Sequence, residues 1–128
     1  MADCPVLVVD DDEAIRDLVT QILETEGYAV ATATNGAEAL DVIEDIRRTH
    51  PTCPALILLD MRMPVLDGWG VARTLKERGL RLPIVVMTAA RDARVWAAEI
   101  GADSYLAKPF ELDDLLLTVS QVGNHSCG

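Results

Sequence analysis

Ala55-Leu56-Ile57-Leu58-Leu59-Asp60 is a run of five apolar residues that stops on a carboxylate. A strand covered on both faces reads as such an unbroken apolar run, whereas a half-exposed strand alternates. Pro5-Val6-Leu7-Val8-Val9-Asp10 and Pro83-Ile84-Val85-Val86-Met87-Thr88 have the same form and also end on a polar residue. Three strands of one kind imply a parallel sheet with helices on both sides. Two other segments differ: Tyr28-Ala29-Val30-Ala31-Thr32-Ala33 alternates, and Asp103-Ser104-Tyr105-Leu106-Ala107 is short, which marks both as edge strands. With the alternating segment second in the chain and the short one last, the sheet order that fits is 2-1-3-4-5.

Helical patterns fill the intervals. Ile15, Leu18, Val19 and Ile22 step i, i+3, i+4, i+7 before Gly27, and Leu112, Leu115, Leu116 and Val119 repeat that step in a fifth helix. Asn35 with Glu38 three residues on predicts a capping box for a second helix carrying Leu40 and Ile43 and ending before Pro51. A third helix is expected over 69–78 and a fourth over about 92–99, closed by Gly101. The chain of 128 residues reads as a single domain with its core over about 5–122 and a short tail over 123–128, showing no internal repeat or linker. Ending just after the fifth helix, it is either a stand-alone unit or part of a longer protein.

Eleven basic against 21 acidic residues leave a formal charge of −10, which repels phosphate backbones, and no Lys/Arg cluster overrides it locally; direct nucleic-acid binding is not expected. Half the residues are apolar and only 4% aromatic, so the core is aliphatic. No run approaches the roughly 20 apolar residues of a membrane span, and the first five residues do not resemble a signal peptide, so a cytoplasmic location without membrane insertion is expected. Cys4, Cys53 and Cys127 are odd in number, far apart and without a CxxC pair, which predicts reduced thiols. His50 and His125 match no motif, and Trp69 and Trp96 read as packing residues.

In an open parallel sheet, ligands sit beyond the carboxyl ends of the strands, where the strand order reverses. Asp10 and Asp11 close the first strand, Asp60 the third and Thr88 the fourth, and Lys108 follows the fifth. Under the order 2-1-3-4-5 those strands are consecutive neighbours, so the five side chains cluster. Three ionised carboxylates require a cation, and an all-oxygen site with few protein ligands suits Mg²⁺, with Mn²⁺ as a substitute. With a lysine opposite, one carboxylate could accept a phosphoryl group whose charge metal and lysine share.

Leu7-Val8-Val9-Asp10-Asp11-Asp12, Leu58-Leu59-Asp60-Met61-Arg62-Met63-Pro64 with Leu66-Asp67-Gly68, Val86-Met87-Thr88-Ala89, and Tyr105-Leu106-Ala107-Lys108-Pro109-Phe110 together resemble the response-regulator receiver domain of two-component signalling. The likeness runs over about residues 5–122. It implies a flavodoxin-like (βα)5 three-layer sandwich and a phosphoacceptor module rather than an enzyme with its own substrate. Asp60 would take a phosphoryl group from a phosphohistidine on a sensor histidine kinase or a phosphotransfer protein. Asp11 and Asp60 would hold Mg²⁺ by their side chains, Asp10 largely through water and Arg62 through its backbone carbonyl. Lys108, the Thr88 hydroxyl and the Ala89 amide would meet the phosphoryl oxygens, and Tyr105 would turn inward as Thr88 moves. Pro64 and Gly68 would shape the loop after the acceptor, and the Lys108-Pro109 peptide would be cis. Arg62 and Ala90 would tune hydrolysis, and since neither suits the orientation of water, a long-lived phosphorylated state is expected. Output would leave through the fourth helix, fifth strand and fifth helix, to a partner, an output domain or a phosphorylation-dependent dimer.

Each residue also has a plain structural reading. Asp10 to Glu13 could favour a helix N-terminus by charge alone, with Asp12 as its cap; Thr88 is a good strand residue, Tyr105 a normal edge aromatic and Lys108 a normal surface cation. Asp60 is hardest to explain so, because an unpaired carboxylate ending an apolar strand is costly. Rival functions are a haloacid-dehalogenase-like phosphatase, a flavodoxin-type electron carrier and a passive phosphate sink in a phosphorelay. The first needs a second Asp where Arg62 stands, and the second needs a phosphate cradle where Asp10 to Glu13 would repel one.

Overall fold

A computed structural model describes residues 4–89 and 91–127, the last four of these by backbone alone. Five strands alternate with five helices: β1 Val6–Val9, α1 Glu13–Thr25, β2 Val30–Ala33, α2 Gly36–Thr49, β3 Leu56–Asp60, α3 Gly68–Glu77, β4 Ile84–Ala89, α4 Ala93–Ile100, β5 Ser104–Lys108 and α5 Leu112–Cys127. The strands form one parallel sheet ordered β2-β1-β3-β4-β5, as the apolar runs predict.

Alternation of side chains along each strand sorts the core into two layers. Leu7, Val9, Ile57, Leu59 and Val86 face one way, onto Leu40 and Ile43 of α2, Val71 and Leu75 of α3 and Ala97 of α4. Val6, Val8, Leu56, Leu58, Val85 and Met87 face the other, onto Val19 and Leu23 of α1 and Leu115, Val119 and Val122 of α5. Because both faces are covered, neither layer needs polar positions, and β1 and β3 are buried throughout. Each such Val or Leu contributes roughly 1.5–3 kcal/mol on burial.

Local signals start the helices. The Asp12 carboxylate accepts from the amides of Ala14 (2.9 Å) and Ile15 (3.3 Å). Asn35 accepts from the Glu38 amide at 2.9 Å, and Glu38 reaches back to the amide and hydroxyl of Thr34, one residue earlier than a standard capping box. Strand and helix limits otherwise lie within a residue or two of expectation, with two consequences at the site: Ala89 belongs to β4, and Lys108 ends β5 instead of following it.

Two expectations are overturned. Residues 123–127 are not a tail, since α5 continues to Cys127. Gly27, Gly79 and Gly101 adopt left-handed φ where helices end, but Gly123 is not among the positive-φ glycines, and a glycine stops a helix by taking that conformation. The second concerns the thiols: Cys4 and Cys53 form a disulfide. The cause is strand adjacency. Val6 pairs with Leu56 and the Ala55 amide donates to the Pro5 carbonyl (2.9 Å), so the lead-ins of β1 and β3 run side by side with the two cysteine Cα atoms 5.1 Å apart. Nothing in a separation of 49 residues signals this. The side chains of Cys127 and His125 lie outside the described residues.

Closing a loop of that length restricts the unfolded chain, which by the loop-entropy relation is worth roughly 4 kcal/mol. Reduction with a thiol reagent, or Cys53→Ser, should therefore lower the thermal midpoint by on the order of 10 °C. Equal midpoints with and without reductant in a calorimetric scan would show that the bridge does not form in solution.

Candidate functional site

Four strand ends converge at one edge of the sheet. Register sets their spacing: Asp60 lies opposite Met87, Thr88 opposite Ala107, and Ala89 opposite Lys108. Asp10, one residue past β1, is wholly buried; Asp60 and Thr88 are nearly so, while Asp11 is exposed. The carboxylates of Asp10, Asp11 and Asp60 each offer an oxygen within 4.8 Å of the others. Facing them, the Lys108 ammonium donates to Asp10 Oδ2 at 2.8 Å and stands 3.8 Å from Asp60 Oδ2. Asp10, Asp11, Asp60 and Lys108 thus meet, and Thr88 lies buried near the carboxyl end of β4, on the same edge of the sheet.

Backbone and side chains hold the acids in place. Asp10 Oδ1 accepts from the Asp12 amide at 2.9 Å, and its carbonyl accepts from the Arg16 guanidinium at 2.8 Å, a contact with no sequence signal. Asp60 Oδ1 accepts from the Arg62 amide at 3.4 Å. After Asp60 the chain turns at Pro64, Val65 and Leu66, with the Leu66 amide donating to the Pro64 carbonyl at 2.8 Å and Val65 at φ 71°. A β-branched residue is disfavoured in that region, so the loop carries local strain beside the acids. Gly68 then lets α3 start against the loop that follows β3: a Cβ there would meet the Met61 sulfur and, at 2.9 Å, the Met61 Cα. Asp67 caps α3 by accepting from the Gly70 amide at 2.9 Å.

The Lys108-Pro109 peptide is cis, as expected, and so is Cys53-Pro54, which the sequence does not announce. Tyr105 is 43% exposed on β5, pointing away from the core, while Thr88 is buried. Ala90 lies outside the described residues. Trp69 and Trp96 pack on each other edge to face with centroids 4.8 Å apart, as packing residues should. Beside the acids is a hollow of about 490 Å³ lined by Asp11, Met61, Arg62, Met63, Pro64, Asp67 and Trp69.

Burial first, and the Asp10 carboxylate second, push the Asp60 carboxyl up from 3.8 to about 7; Lys108 and the Arg62 amide pull the other way, and Asp11 adds a smaller upward push. Removing a carboxylate from water beside another carboxylate disfavours its charged form. A cation beside Lys108 would offset the charge of the ionised trio. The donor set is all carboxylate oxygen, which fits a hard divalent ion.

A five-stranded parallel sheet in this order, with acids and a lysine gathered at its carboxyl edge, is the architecture of a receiver module, and the chain belongs to the response-regulator receiver domain family, whose model matches residues 6–120. It is 46% identical over 114 residues to response regulator MprA of Mycobacterium sp. (strain KMS), covering 87% of this chain and 46% of that protein. MprA of Mycobacterium avium (strain 104) is as similar. The chain therefore spans about half the length of these curated relatives. Among solved structures, the receiver domain of NtrX from Brucella abortus superposes with a TM-score of 0.81 at 34% identity, covering 93% of this chain and 98% of that one. The chemotaxis response regulator CheY4 of Vibrio cholerae gives 0.81 at 30%, covering 94% and 99%. The protein is a signalling module of two-component systems, a class that works with histidine kinases and binds Mg²⁺ at an acidic pocket. No helix among the described residues is long and apolar enough to cross a membrane.

Between pH 3.8 and about 7 the folded chain holds a proton on Asp60 that the unfolded chain has released. Metal-free stability therefore falls as pH rises through that window. Asp60→Asn removes the penalty, so in chelator the variant should melt several degrees above the parent near pH 8 and scarcely differ near about pH 4. A thermal shift of equal size at both pH values would contradict the raised carboxyl.

Proposed function

We propose that Asp60 is the phosphoacceptor, and that this chain takes a phosphoryl group from a phosphohistidine on a sensor histidine kinase or a histidine phosphotransfer protein. The observation that carries the reading is the single ammonium group of Lys108, 2.8 Å from Asp10 and 3.8 Å from Asp60, facing three gathered carboxylates. An Asp60 oxygen attacks phosphorus, the O–P bond forms as the P–N bond to the donor imidazole breaks, and the imidazole leaves with the bond's electron pair. Asp10, Asp11, Asp60 and the Arg62 carbonyl would hold Mg²⁺ or Mn²⁺, which supplies positive charge for the incoming group. Lys108 neutralises a phosphoryl oxygen from the opposite side, and the Thr88 hydroxyl and Ala89 amide donate to the others. A haloacid-dehalogenase-like phosphatase is not favoured, because Arg62 stands where that chemistry needs a second carboxylate.

Phosphorylation replaces one carboxylate charge with about two phosphate charges and strong acceptor oxygens. Thr88 would be drawn toward them, leaving room for Tyr105 to turn in from its exposed position. The surface that changes is α4, β5 and α5, where Val95, Tyr105, Leu112 and Leu117 are exposed apolar side chains. An output partner, an output domain or a second phosphorylated copy that binds one state better than the other reads the signal there. These partners place the chain's work in the cytoplasm, and Arg62 with Ala90 sets how long the phosphoryl group lasts.

Acetyl phosphate with Mg²⁺ should add one phosphoryl group, seen by intact mass and lost in chelator or in Asp60→Asn; Arg62→Asn with Ala90→Glu should shorten its lifetime at fixed Mg²⁺. Stable labelling of the Asn variant elsewhere would remove Asp60 from the role. Addition of beryllofluoride should move the amide resonances of Arg94, Trp96, Tyr105 and residues 113–118. Changes confined to the loops at Asp11, Asp60 and Thr88 would favour a passive phosphate sink over a switch.

A further inference from the structure

α4 gives the core little to hold. Its eight residues bury only Ala93 and Ala97, and Asp92 at its N-cap makes no side-chain hydrogen bond to it. An alanine contributes one methyl group, so the lateral position of α4 depends on larger side chains at its rim. Trp96 is the largest of these. Its ring meets Trp69 of α3 at 66° with centroids 4.8 Å apart, an attractive edge-to-face arrangement, and the Trp69 indole N–H donates to Glu99 of α4 at 3.0 Å. On the same ring lies a third element: the Arg62 guanidinium carbon is 5.2 Å from the Trp96 centroid. Arg62 is exposed, makes no ion pair among the described residues, and has its own amide on Asp60 Oδ1.

We infer that Arg62 is a positioning residue that couples the charge on Asp60 to α4 through Trp96, an inference that rests on Asp60 being the phosphoacceptor. Before phosphorylation its guanidinium lies on the indole face and helps Trp69 and Glu99 retain α4. A phosphoryl group two residues away offers that guanidinium charged oxygens. A charge-assisted, two-pronged pair with phosphate is stronger than one exposed cation–π contact. Arg62 therefore leaves Trp96 for the phosphoryl group, and α4 loses one of its lateral ties when the output surface must change. This route runs along the α3 side of α4, separate from Thr88 and Tyr105 on the β5 side.

The chain has two tryptophans, so Trp69→Phe leaves Trp96 as the sole indole emitter. In that background, Mg²⁺ with beryllofluoride should shift Trp96 emission to the red and increase its quenching by acrylamide. Arg62→Met, which keeps the length and removes the cation, should start from the shifted emission and show no further response; Arg62→Lys should recover part of it. A merely structural Arg62 would change the starting emission but leave the beryllofluoride response intact, and that result overturns the inference. Intact-mass analysis of the parent with acetyl phosphate separates the two layers. Absence of a label on Asp60 overturns the phosphoacceptor reading and the coupling together, whereas a label with an unchanged Trp96 response in Arg62→Met overturns the coupling alone.

Discussion

One ammonium group stands against three carboxylates at the edge of the sheet. Lys108 reaches Asp10 across 98 positions of sequence, from the last strand to the end of the first, with β3 and β4 between them. That pair forms only if the four strands sit in register, since a slip of one residue in a strand turns each of its side chains to the opposite face. Register in turn is held by two apolar layers that tolerate no inversion at β1 or β3, both buried throughout. The chemistry at the edge thus draws on the aliphatic core for its precision.

Charge balance at that edge is incomplete by design of the residues present. Lys108 lies nearer Asp10 than Asp60, and burial together with the Asp10 charge raises the Asp60 carboxyl to about 7, so that it holds its proton more readily than an ordinary carboxylate. A carboxyl that holds its proton is a poor nucleophile, and a divalent cation is the natural way to release it. Burial and like charge are the two causes that make the ionised metal-free site costly to fold, and a divalent cation among the three carboxylates would offset both.

Stiffness is distributed unevenly around this centre. The central strands β1 and β3 and the acids Asp10 and Asp60 at their ends are buried, and the Cys4–Cys53 bridge ties the far ends of those two strands. By contrast, α4 is short, lacks a side-chain cap and buries two alanines. Elements that move in signalling come from the weakly anchored part of a structure, because a switch can shift only what a few contacts retain. Here the weak element touches the loop after Asp60 through Arg62 and Trp96 on one side and packs beside β5 on the other.

The strand and helix pattern, the sheet order and the gathering of Asp10, Asp11, Asp60 and Lys108 were all legible in the sequence. Unbroken apolar runs admit one kind of strand, and each run ends on the polar residue that the topology then collects. Asp12, Asn35 and Asp67 act on amides two or three residues away, so local sequence is enough to place helix starts. Contacts that neither a strand end nor a local motif marks were not legible. Cys4 meets Cys53 only because β1 lies beside β3, and Arg16 finds the Asp10 carbonyl only after α1 has packed. Arg62 reaches Trp96, and Trp69 reaches Glu99, only because α3 and the loop leading into it lie beside α4 on one face of the sheet. The tertiary structure alone decided these pairs, because a side chain's partner is set by where its element is packed, and periodicity records only which face of an element is apolar.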